Sequence, residues 1–203
     1  MQIIKPLFAF FCAQLAFASP IANDEIPSVG LVERTTPAPD ATVQKWNKLA
    51  GVPAGGLTKG FSLFSAQWPR DKGKDIGFPD VVVDARESVG SNHWVLVAVQ
   101  IAEKTTGPPK KRVTNLVVND VKFWDLGIDG DGKAVLHTPG KAYNLDKALT
   151  DKVTHNYLKK LGSSATISKV TDEAKEYVKE NPVYNAEKVN CKTFVQGVAA
   201  KLS

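Results

Sequence analysis

Cysteine and histidine are both scarce in this chain of 203 residues, with two of the first and three of the second. No pair of them stands at metal-ligand spacing, which excludes a zinc finger or ribbon. No Asn-X-Ser/Thr triplet occurs, so N-glycosylation is not expected. No internal repeat is present, which excludes a solenoid or propeller. No RNA- or DNA-binding signature is found. After the first twenty residues no hydrophobic run approaches the length of a membrane helix.

What is present begins with an address. Lys5, the apolar run Pro6 to Phe17 and the small-residue site Ala16-Phe17-Ala18 read as a secretory signal over residues 1–18. Residues 19–34 end in Leu-Val-Glu-Arg and resemble a short pro-segment cut after Arg34; a plain disordered leader is the other reading. Residues 35–60, rich in Pro, Gly and Thr, are expected to be flexible apart from a helical turn or two at Val43 to Ala50. Residues 61–203 then suffice for one domain with a core of ordinary size. The expected product is a secreted monomer without a transmembrane segment.

Charge is positive but dispersed. The whole chain carries +5; residues 1–34 hold two basic and three acidic side chains, a net of −1, so the remainder carries +6. The one cluster, Lys110-Lys111-Arg112 after Pro108-Pro109, gives a weak preference for anionic surfaces such as cell walls or lipid head groups.

Valine-rich runs predict strands at Phe61 to Phe64, Asp80 to Asp84, His93 to Ile101, Val113 to Leu126 (with a break expected near Asn119-Asp120) and Lys133 to Thr138. Thr105 to Lys110 reads as a hairpin loop and Asp129 to Gly132 as a tight turn. The last third turns helical. Leu145 to Leu161 has helical spacing, and Val170, Ala174, Tyr177 and Val178 mark a second helix. The third has Asn190 as N-cap, a Val189–Phe194 staple and an apolar stripe through Val198 and Leu202. The expected fold is α+β, an antiparallel sheet from the middle of the chain packed by C-terminal helices.

Removal of the signal takes Cys12 with it and leaves Cys191 unpaired, at the start of the last helix. A helix N-terminus favours a thiolate, which makes Cys191 a candidate nucleophile. A small buried hydrophobe is the plainer role for such a residue. A thiol nucleophile needs an imidazole, and a third polar group to orient the ring. His93 opens a strand on the face of Val95, Val97 and Val99, where a core histidine is the commoner outcome; His137 ends another strand; His155 falls on the expected helix, on its solvated side. Asp125, Asp129 and Asp131 suggest a calcium loop, but its terminal bidentate glutamate is missing, and no metal or cofactor is assigned.

The segments His93-Trp94-Val95-Leu96 and Asn190-Cys191-Lys192-Thr193-Phe194-Val195 resemble the signatures of the lecithin retinol acyltransferase-like proteins, a permuted branch of the NlpC-type papain-like fold. The order, histidine first and cysteine last, agrees. The stretch from Ala174 through Val195 is similar to the family's helix, loop and cysteine helix, and Asp129 to Gly140 to its turn, strand and second histidine. The resemblance implies a permuted papain-like topology and a thiol enzyme acting on acyl esters or amides, lipid or cell-wall peptide. Cys191 would attack, His93 would serve as base and acid, and His137 would orient the ring. About forty residues separate the two histidines, so Asn115, Asn119 and Asp120 stand as alternatives for the third role. Lys192-Thr193 replaces the family's acidic-histidine pair, which leaves the substrate open. A non-catalytic secreted binding or effector module on the same fold is the competing reading.

Overall fold

The computed structural model describes residues 36–71 and 80–203. The signal, the pro-segment and the Arg34 cleavage site expected from sequence lie outside the described residues. The fold is α+β. A six-stranded mixed sheet runs β1-β4-β3-β2-β6, and β5 adds to β4. Its strands are β1 (Ala38–Pro39), β2 (Gly60–Pro69), β3 (Ser91–Thr106), β4 (Val113–Ile128), β5 (Ala134–Ala142) and β6 (Thr154–Lys160). All pairings are antiparallel except the short β1–β4 ladder, which is parallel and makes the sheet mixed. Among the described residues, no helix is long and apolar enough to cross a membrane.

Strand alternation builds two cores on opposite faces of the sheet. Leu96 and Ala98 of β3, with Trp124 and Leu126 of β4, join Ala85, Val170, Ala174, Phe194, Val195 and Val198. Those last six come from α2 (Asp80–Ser88), α4 (Ile167–Glu180) and α5 (Cys191–Lys201). Val95, Val97, Val99 and Ile101 point the other way, against Val43 and Trp46 of α1 (Ala41–Asn47) and Leu145 and Ala148 of α3 (Leu145–Thr150). A strand covered on both faces reads as a continuous apolar run, which is the reason β3 was legible.

The break expected near Asn119 is a β-bulge. Ile101 pairs with Val118 but Gln100 pairs with Asp120, so Asn119 is the extra residue and the strand continues on both sides. The Asp129 turn also forms: Gly132 N donates to Asp129 O at 3.2 Å, and Asp129 Oδ1 accepts from the N–H groups of Asp131 and Lys133.

Four expectations need correction. Asp80 to Asp84 is not a strand but the start of α2, because Val81 and Ala85, four apart, both pack on the helix-side core. Leu145 to Leu161 is not one helix: α3 ends at Thr150, Lys152 takes φ 57°, and β6 follows beside β2. There Tyr157 and Leu158 feed opposite cores, a period-two demand that overrides the helical spacing. His155 is consequently buried on a strand, with Tyr143 Oη 2.6 Å from its Nε2, rather than solvated on a helix. The front of the domain is packed rather than flexible: Val43, Trp46 and Leu57 are buried, and Asp40 caps α1 through Val43 N.

Candidate active site

Local chemistry fixes the start of α5 before any packing does. Asn190 Oδ1 accepts from the N–H groups of Lys192 and Thr193, both at 3.0 Å, while Thr193 Oγ1 accepts from Asn190 N at 2.9 Å. That reciprocal cap satisfies orphan donors at both ends of the first turn. Asn190 Nδ2 also donates to Ala186 O at 2.8 Å, anchoring the approach to the helix. Cys191 is therefore the first helical residue, buried to 3 % exposure, on the inner face. Lys192 points outward, with its ammonium 5.6 Å from the Trp94 ring centre.

A cavity of about 400 Å³ opens at this point. Cys191, His93, Asp125, His137, Tyr184 and Arg86 all line it, against walls of Trp68, Leu126 and Ile128. His93 lies two residues inside β3, opposite Trp68 of β2, and the two rings sit 6.1 Å apart. Its Nε2 is 3.2 Å from Asp125 Oδ2, and Cys191 lies near enough to act on the ring electrostatically. The imidazole side chain is 35 % exposed and the carboxylate 15 %. Burial alone would lower the His93 pKa. The hydrogen bond to Asp125 and the interactions with Cys191 and the Asp125 charge outweigh that and push it up to about 9.

Tyr184 stands beside Cys191 in the cavity wall. Burial raises the phenol's pKa, the Cys191 charge adds to the rise, and the Arg86 guanidinium opposes it, so the hydroxyl keeps its proton at neutral pH. Arg86 is itself buried and donates from Nε to Asn92 O at 3.1 Å, which ties α2 to the start of β3.

Two of the three residues named from sequence, Cys191 and His93, thus line one cavity and interact electrostatically. His137 shares their cavity but occupies a different place. It is exposed at the rim, unpaired in the β4–β5 ladder between Leu136 and Thr138, with its ring against Gly127. A Cβ on Gly127 would sit 2.4 Å from His137 Nδ1, so this close approach requires glycine. The group that holds His93 is Asp125. None of the alternatives reaches the cavity: Asn119 donates to Gln100 Oε1, Asp120 pairs with Lys122, and Asn115 stands in register with Lys104. Tyr184 and Arg86 carried no motif, and Asp125 stood out only in the calcium-loop pattern. For Asp125 a signal did exist in the hairpin register. Below the bulge the ladder would place Leu126 opposite His93; the extra residue Asn119 slides β4 by one and puts Asp125 on His93's face.

The three acidic residues near the Gly-Asp-Gly turn do separate work: Asp125 holds His93, Asp129 closes the turn, and Asp131 pairs with Lys133. The chain matches no protein-family model, no curated protein and no solved structure.

Proposed function

We propose that this protein is a secreted cysteine-dependent acyl hydrolase or acyltransferase with the permuted papain-like topology of the lecithin retinol acyltransferase-like proteins. The observation that carries the reading is one imidazole hydrogen-bonded to a carboxylate and set in the same cavity as a thiol at a capped helix start. With Nε2 taken by Asp125, Nδ1 is left for the sulfur. A ring that holds its proton up to about pH 9 stands beside Cys191 before substrate arrives.

Cys191 Sγ attacks the carbonyl carbon of an ester or amide. The carbonyl π pair moves onto oxygen, and the Tyr184 O–H in the same cavity wall is the donor for that oxyanion. Collapse expels the alcohol or amine, protonated by His93, and leaves a thioester. His93, now neutral, takes a proton from water, an amine or a lysolipid, which attacks the thioester and restores the thiol. Asp125 acts through His93: it holds the ring's orientation and stabilises its charged form.

The 3 % exposure of Cys191 is the observation that favours the other reading, a binding or effector module whose thiol is only packing. Turnover of residues 35–203 on panels of acyl esters and peptide amides separates the two. Activity abolished by Cys191→Ser supports the enzyme; activity unchanged in that variant, or none on any panel, favours the module.

A further inference from the structure

The β3–β4 hairpin runs on beyond both packed layers, and residues 103–113 are exposed without interruption. Four cations gather there: Lys104, Lys110, Lys111 and Arg112. Their side chains make no ion pair or hydrogen bond among the described residues. Glu103 is the acid at the base of this stretch, and Lys59 pairs with it at 3.3 Å. No other acidic residue follows until Asp120.

The tip is built rather than loose. Lys111 N donates to Pro108 O at 2.8 Å, closing a turn, and the Thr105 and Thr114 hydroxyls join across the stem at 2.8 Å. Two prolines fix φ at the turn. Gly107 adopts φ 97°, where a Cβ would meet Lys111 O at 2.4 Å. Apolar surface is interleaved with the charge: Val113 is 56 % exposed and Pro108 and Pro109 are exposed.

We propose that this hairpin tip docks the protein on an anionic lipid surface. Lysines and arginine on a preorganised turn meet the head-group phosphates and carboxylates, while the prolines and Val113 enter the interfacial layer. A polyanionic sugar chain would use the charge but leave the apolar atoms without a role. His93 lies thirteen residues down β3 from Thr106, about 40 Å at the rise of a strand, so docking turns the thiol cavity away from the surface. The contact is a tether, independent of the chemistry proposed for Cys191.

The test is co-sedimentation with vesicles of phosphatidylcholine containing about one-third phosphatidylserine, against phosphatidylcholine alone. Binding is expected only to the anionic vesicles and is abolished by about 0.5 M salt. Each cation is worth about fivefold, so the combined Lys104→Gln, Lys110→Gln, Lys111→Gln, Arg112→Gln variant binds at least about a hundredfold more weakly. Its melting temperature and Cys191 alkylation rate are unchanged, and vesicles do not slow alkylation of the wild type. The proposal is overturned by no vesicle binding, by equal binding of the glutamine variant, by equal binding to neutral vesicles or by capture on a polyanionic polysaccharide alone. Protection of Cys191 by vesicles, which would put the contact at the cavity, overturns it too.

Discussion

Asp125→Asn is the sharpest perturbation of the site, because it keeps the side chain's shape and removes its charge. The wild-type carboxylate is 3.2 Å from His93 Nε2 and only 15 % exposed. A hydrogen bond to a charged group contributes about 1.5–3 kcal/mol. The imidazole is 35 % exposed, and solvent screening places this one near the lower end, about 1.5 kcal/mol. That energy favours the protonated ring, so its loss weakens proton binding about tenfold. The wild-type pair should lose activity as pH rises through about 9, where His93 gives up its proton. In Asp125→Asn the alkaline limb of kcat/KM should move down by about one pH unit. Loss of the ring's orientation should lower the plateau by about a hundredfold. His137→Gln, which alters a rim residue, should leave the limb in place. Superposable profiles for Asp125→Asn and wild type, or a shifted limb in His137→Gln, would refute the assignment of Asp125 over His137.

Three other outcomes follow from the packing. Deleting Asn119 removes the bulge and returns Val121, Phe123 and Asp125 to the wrong face; the protein should fail to fold or lose activity wholly, and a stable, active deletion variant would contradict the register. Gly197→Ala places a Cβ 2.5 Å from Tyr177 Cε2 between α4 and α5; overpacking of about 1–3 kcal/mol should exceed the helix-propensity gain of about 1 kcal/mol, giving a lower urea midpoint. His155 is buried and its pKa lowered by that burial, so its contribution to stability is full above about 6.5 and is lost as pH falls below it. His155→Gln should therefore flatten the fall in melting temperature between about pH 6.5 and pH 5, and an unchanged slope would count against this burial.

The most readable parts of the fold were those in which one local pattern met one structural demand. Asn190, Thr193 and the stripe through Phe194 and Val198 define α5 without reference to the rest of the chain. The alternation in β3 served two cores at once and still read as a strand. The failures lie where tertiary contacts chose between patterns. The β-branched run at Val81 to Val83 became helical because α2 packs Ala85 onto the core, and Thr154 to Lys160 became a strand because the edge of β2 needed a partner. The thiol and its imidazole were visible because each residue type is scarce. Asp125 was not, since its face depends on one bulged residue six positions earlier and on pairing across a hairpin. Tyr184 and Arg86 reach the cavity from segments with no pattern of their own.

Activation of Cys191 by His93 is read from the rate of iodoacetamide alkylation at pH 6. An ordinary thiol, with a pKa near about 8.5, reacts slowly there. Wild-type Cys191 should react faster than free cysteine, and His93→Gln should remove the advantage. Alkylation no faster than that of free cysteine, with His93→Gln making no difference, would contradict it.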